Sequence, residues 1–231
     1  MRTPSLAAGT AQARRPAVWL SVGLLAWVAL FAMVATTEGL AEEDRPVLRW
    51  LTGHRVPAVT WLMELVSSRA VAVLVPVTVL AATLAIGVVR RTWRPLVTVV
   101  LTFGGASVLS WSTKTLVRRP RPAVVGMLGT PASGWSFPSG HTLLTSALLG
   151  ALALLAWQRT TRPVVRIAAT AAAVAAALLM GMSRMYLGDH WLTDVLASYT
   201  LAVSVLAATA AAVGARRWTT DELRPSSTAA P

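Results

Sequence analysis

Apolar residues gather in six long runs separated by short polar connections, at about Ala17–Thr36, Ala70–Val89, Leu96–Ser112, Thr142–Trp157, Val164–Met182 and Trp191–Val213. Each is long enough, or nearly so, to cross about 30 Å of hydrocarbon as a helix. The Ala- and Leu-rich runs show no period-two alternation, which argues against strands. The pattern therefore predicts an all-α fold, an integral membrane six-helix bundle. One stretch departs from it. Glu38 to Arg69 is too polar to span, yet Val47, Leu48, Trp50, Leu51, Val59, Trp61, Leu62 and Leu65 recur at near-helical spacing. It reads as an amphipathic helical segment in the outer interface after the first span, broken near Pro57.

The runs give one membrane domain over 17–213, preceded by a segment 1–16 and followed by a tail 214–231. From Arg224 onward that tail is rich in Ser, Thr, Ala and Pro and is expected to be disordered. The first run follows Arg14 and Arg15, as a signal peptide would. Its apolar stretch of about 20 residues exceeds the usual 7–15 of a signal core, which favours an uncleaved anchor. No internal repeat is evident.

Composition agrees with a bilayer environment. Of 231 residues, 55% are hydrophobic and 13% charged, against about 25% charged in a soluble domain. Mean hydropathy is +0.61, and ten Trp against two Tyr and three Phe suit indoles at the interfaces. The chain has no Cys, which removes disulfides, thiolate metal sites and cysteine nucleophiles. Net charge is +12, but the arginines arrive in small groups between apolar runs, not as a nucleic-acid-binding face.

Those groups carry topology. Arg2, Arg14 and Arg15 precede span one; Arg90, Arg91 and Arg94 follow span two; Arg159, Arg162 and Arg166 follow span four; Arg216, Arg217 and Arg224 follow span six. The other connections are near neutrality. The basic excess places both termini in the cytoplasm, in a multi-pass protein of the cell membrane.

Three polar clusters then fall on the opposite, extracytoplasmic side: Lys114 to Pro122, Phe137 to His141, and Ser183 to Asp194. Lys114 is the only lysine beside twenty arginines, which suggests a compact ammonium on a flexible stem, although a snorkelling residue fits too. Arg118, Arg119 and Arg121 add cations where the positive-inside tendency disfavours them. Pro-Ser-Gly-His ahead of an apolar run reads as a helix entrance, with Ser139 able to cap, Gly140 allowing close backbone approach, and amide groups suited to phosphate. A plain capped turn would look the same.

The chain has three His, and two stand in these clusters; His54 reads as an interfacial surface residue. His190 and Asp194, four apart, share a helix face, so the carboxylate can fix the ring tautomer and leave the other nitrogen as nucleophile. A helix-start His beside a dipole-favoured Asp is the plainer reading. His141, His190 and Asp194 could also ligate a metal, but the clustered cations oppose a dication. Jointly the clusters make a phosphoryl-transfer site that calls for no metal and no cofactor.

In these residues the chain resembles the type 2 phosphatidic acid phosphatase (PAP2) superfamily, in its membrane lipid phosphatase branch. Lys114, Arg121 and Pro122 match K-x6-R-P; Pro138 to His141 match P-S-G-H; Ser183, Arg184, His190 and Asp194 match S-R-x5-H-x3-D. The resemblance covers about Trp50 to Val213. It implies a phosphohistidine mechanism, with His190 as nucleophile, Asp194 as its orienting partner and His141 as general acid. Lys114, Arg121, Ser139, Gly140 and Arg184 become phosphate ligands. Arg119 repeats the Arg-Pro pattern two residues early and could share the anion; Ser183 is a further auxiliary candidate. Asp189 lies outside the signature; beside the proposed nucleophile it could raise the His190 pKa by favouring imidazolium.

The expected function is hydrolysis of a lipid phosphate or diphosphate from the outer leaflet, with undecaprenyl diphosphate, phosphatidic acid and phosphatidylglycerol phosphate as candidates and a lean toward the first. The partners are the bilayer and its lipid, not nucleic acid. A vanadium haloperoxidase would use a similar anion pocket, but those proteins are soluble. The alternative from another class is a lipid-phosphate-binding or transport protein without turnover.

Overall fold

The structure, a computed structural model, describes residues 6–122, 127–128 and 133–215. Among the described residues eight α-helices run in chain order: α1 Leu6–Thr36, α2 Asp44–Gly53, α3 Pro57–Val66, α4 Arg69–Arg90, α5 Arg94–Val117, α6 Gly140–Arg159, α7 Pro163–Tyr186 and α8 Leu192–Ala215. A 3-10 turn, Gly39–Ala41, links α1 to α2. Among the described residues no strand occurs. Six of these described helices are long and apolar enough to cross a membrane: Arg15–Thr36 within α1, and α4 to α8.

Several spans begin or end for a local reason. Ser68 caps α4 by accepting from Val71 N at 3.3 Å, and Arg91 closes it in the left-handed conformation. Pro95 and Pro163 stand in the first turns of α5 and α7, where a missing N–H costs nothing. Arg118 ends α5 in the same left-handed way, and Pro120 and Pro122 keep the chain extended. The segment after the first span is two short helices broken before Pro57, with Trp50 and Trp61 exposed. His54 is exposed and stacks on Trp50 at 4.9 Å.

Helix α8 is the most enclosed span and lies against α1, α5 and α6. Ala106, Leu143, Ala147, Leu201 and Ala202 form the packed centre between α5, α6 and α8. Small residues let backbones approach closely where lipid offers no hydrophobic drive. At Gly23 a Cβ would lie 2.9 Å from the Thr200 carbonyl oxygen and against the Ser204 hydroxyl, so α1 and α8 meet there only through glycine. The bundle brings the end of α5, the start of α6, the end of α7 and the start of α8 to one end, together with α2 and α3. The N-terminal residues 1–5 and the expected disordered tail from Arg224 lie outside the described residues.

Candidate active site

The three polar clusters converge. A cavity of about 700 Å³ is lined at its polar end by Lys114, Arg121, Gly140, His141, Arg184 and His190. The rest of its wall is mostly apolar, drawn from α3, α4, α6 and α7, and includes Leu65, Val75, Leu148, Ala176 and Leu179. Arg69, at the start of α4, also lines it. Among the described residues the lining holds four cations and no carboxylate.

His190 is placed by the turn between α7 and α8, two residues before α8 begins, so it does not itself lie on the helix face with Asp194. Its backbone N–H donates to the Arg184 carbonyl at 3.2 Å. That turn still carries Nδ1 to 3.3 Å from Asp194 Oδ2, while Nε2 faces the cavity with Arg121 Nη1 at 3.0 Å. A guanidinium can only donate, so Nε2 is the acceptor and the proton resides on Nδ1. Burial holds the His190 pKa down at about 3 against the pull of Asp194, with Arg121 and Lys114 adding to the lowering. The ring is neutral with its nucleophilic lone pair toward the cavity.

Asp194 is fully buried and richly satisfied. Oδ2 also accepts from Trp191 N at 3.0 Å and from the Ser136 hydroxyl. Oδ1 accepts from Arg119 Nη1 at 2.6 Å. Ser136 lies 3.4 Å from His190 Nδ1 as well, so its hydroxyl sits between the two.

The cations are held from behind. Lys114 Nζ donates to the carbonyls of Trp135 at 2.7 Å and Ser136 at 3.3 Å. Arg121 donates to Gly134 O and Asp189 O, both at 3.0 Å; burial lowers its pKa, and Asp189 and Asp194 counter that. Arg184 pairs with Asp189 Oδ2 at 2.7 Å and donates to the Ser67 hydroxyl. Gly140 and His141 open α6 onto the cavity, and among the described residues the His141 ring makes no hydrogen bond. A Cβ on Gly140 would lie 3.8 Å from Lys114 Cε.

Several expectations need correction. Ser139 occupies the N-cap position of α6, but its side chain does not cap. The hydroxyl is fully buried and pairs with Thr142 Oγ1 at 2.9 Å, while Ser139 N donates to Asp194 O at 3.3 Å. Neither it nor Ser183, which donates to Met180 O at 2.7 Å, lines the cavity. Arg119 is drawn away from any shared anion by two carboxylates, Asp44 at 2.5 Å and Asp194 at 2.6 Å. Asp189 does not raise the His190 pKa, because its carboxylate turns to Arg184. Its own pKa is raised by burial and pulled back by Arg184 and Arg121.

Asp44, Ser67, Ser136 and Thr193 belong to this assembly and were not singled out from the sequence. Ser136 stands one residue before the Phe137-to-His141 cluster, and Asp44 ends the acidic run Glu42-Glu43-Asp44; both signals are faint.

Comparison with known proteins places this geometry. Residues 91–218, more than half of the chain, match the PAP2 superfamily. The chain belongs to the PAP2 superfamily. Over 117 residues it is 33% identical to phosphatidylglycerophosphatase B of Bacillus subtilis, a match covering 48% of this chain and 54% of that protein; the matched stretch thus spans about half of that PAP2 relative's length. In fold it is similar to the crystal structure of a transmembrane PAP2-type phosphatidylglycerolphosphate phosphatase from Bacillus subtilis. That likeness has a TM-score of 0.67 and 23% identity, covering 91% of this chain and 99% of that one. Aquifex aeolicus LpxE is also similar, with a TM-score of 0.53 and 21% identity over 72% of this chain and 93% of that one. The all-helical six-span PAP2 architecture and a multi-pass membrane protein are therefore secure.

Proposed function

We propose that this chain is a lipid phosphatase that hydrolyses a phosphate head group through a phosphohistidine intermediate. The observation that carries the reading is the division of the His190 ring. Nδ1 is committed to Asp194 at 3.3 Å, and Nε2 opens onto a cavity lined by Lys114, Arg121, Arg184 and His141.

The chemistry follows from that division. Nε2 attacks phosphorus in line with the leaving oxygen, and the ring charge that develops is stabilised by Asp194 through Nδ1–H. Lys114, Arg121, Arg184 and the Gly140 amide neutralise the equatorial oxygens. His141 protonates the leaving oxygen, then takes a proton from the water that attacks the phosphohistidine; inorganic phosphate leaves and His190 is restored. The histidine on each side of the phosphorus handles one bond, so no metal is needed to activate the nucleophile. The apolar arm of the cavity, open between α4, α6 and α7, suits the chains of a lipid whose head group stays at the polar end.

Phosphatidylglycerol phosphate is the first substrate to test, because the relative with 33% identity is a phosphatidylglycerophosphatase; undecaprenyl diphosphate and phosphatidic acid are the other arms. The site end of the bundle faces out of the cytoplasm in this reading, since Arg90, Arg91, Arg94, Arg159, Arg162 and Arg166 all lie at the other end. The test is phosphate release by the detergent-solubilised protein from each lipid, with EDTA present, beside His190→Ala. Release that survives EDTA and disappears in the variant supports the mechanism. Release that continues in His190→Ala, or that EDTA abolishes, overturns it.

A further inference from the structure

We infer that Asp44 and Arg119 are a positioning pair that sets Asp194, and through it His190, so that the amphipathic segment after the first span completes the active site. The inference rests on the phosphohistidine reading and adds residues to it. Asp44 lies outside residues 91–218, the part of the chain that matches the family.

Its placement is specific. Asp44 opens α2, a short helix with two exposed tryptophans nearby, yet it is only 2% exposed. Oδ1 accepts from Thr193 N at 2.9 Å, and Oδ2 accepts from Thr193 Oγ1 at 2.7 Å and Arg119 Nη2 at 2.5 Å. Thr193 is in the first turn of α8, so Asp44 satisfies a helix-start amide of the very helix that carries Asp194. Arg119 completes the link, with Nη1 on Asp194 Oδ1 at 2.6 Å and on Thr193 Oγ1 at 2.8 Å. Its guanidinium also faces the Trp191 ring at 5.5 Å.

Two consequences follow. With Oδ1 held by Arg119, the Asp194 carboxylate cannot turn, and Oδ2 is left facing His190 Nδ1, Ser136 and Trp191 N. Second, one guanidinium is divided between two buried carboxylates, so the trio keeps a net negative charge beside His190. Without Asp44, Arg119 would neutralise Asp194 alone and blunt its support for the positive ring that forms on attack. Arg119 cannot leave for the phosphate either, because both buried carboxylates would then lack a counter-cation.

The test compares steady-state kinetics on the lipid that the unsubstituted chain hydrolyses, with melting temperature followed in the same detergent. Asp44→Asn keeps an oxygen for Thr193 N and removes the charge. It is expected to lower kcat by about tenfold to a hundredfold, the scale of a misplaced reacting group, with KM unchanged. Arg119→Lys should match it, because an ammonium cannot fork to both carboxylates, and it carries the test should Asp44→Asn not fold. Combining Asp44→Asn with Asp194→Asn should cost no more than Asp194→Asn alone, since the pair acts through Asp194. Full kcat in either single variant, or losses that multiply in the double variant, overturns the inference. If His190→Ala is inactive and the unsubstituted chain active, that failure belongs to this inference alone. If the unsubstituted chain releases no phosphate, the phosphatase reading falls and this one with it.

Discussion

Arg121 Nη1 donates to His190 Nε2 at 3.0 Å, so the guanidinium that would bind the transferring phosphoryl group rests on the lone pair that would attack it. Binding of an anion gives Arg121 a better acceptor than a neutral imidazole and uncovers Nε2 in the same movement. In the proposed mechanism the cation would thus shield Nε2 until a phosphate arrives.

This makes Arg121 more than a charge. Arg121→Ala is expected to lower kcat/KM by about a hundredfold to a thousandfold, the usual cost of one transition-state donor. Arg121→Lys should recover only part of it, because one ammonium cannot hold Gly134 O and Asp189 O while reaching the phosphate. Kinetics of both variants on one lipid check this.

Ser136→Ala removes the hydroxyl between His190 and Asp194 and leaves the cavity lining untouched. The expected result is a loss of about tenfold in kcat, near 1.4 kcal/mol, with KM unchanged. A rise in KM at constant kcat would mean that Ser136 meets substrate instead.

Burial of neutral His190 ties stability to pH. Its folded pKa of about 3 lies below an unfolded value of about 6.5, so between these the unfolded chain binds the extra proton. Stability therefore rises with pH up to about 6.5 and falls on acidification below it. Melting in detergent from pH 5 to 8 should show the fall, and His190→Gln should flatten it.

The apolar arm of the cavity should select for chains. Ala176→Trp on α7 would fill part of it and is expected to raise KM for a long-chain lipid phosphate severalfold while sparing a short-chain analogue. Parallel assays on the two substrates separate loss of chain binding from damage to the phosphate end.

Arg69 stands in the same lining without a carboxylate partner among the described residues. Arg69→Gln is expected to raise KM for a two-phosphate head group more than for phosphatidic acid, because a single monoester of about two charges leaves the fourth cation with less to bind. Equal changes on both substrates would place Arg69 outside substrate recognition.

What the sequence determined by itself was whatever depends on distance along the chain. A run of apolar residues long enough for the hydrocarbon needs no partner to be recognised, so all six spans were legible, as was the break before Pro57. The family resemblance likewise named Lys114, Arg121, His141, Arg184 and His190 as candidates, and the structure gathers them around one cavity. The tertiary structure decided how polar groups are shared. Arg119 and Arg121 are both arginines followed by proline, and the buried Asp44 and Asp194, each seventy-five positions from Arg119, claim the first and leave the second to the cavity. Ser139 was expected to cap α6, but Thr142 and the α8 backbone take its hydroxyl and amide. Inside a bundle with little water, every buried charge and hydroxyl must find its partner among whatever side chains the helices bring near, and that choice is made in three dimensions.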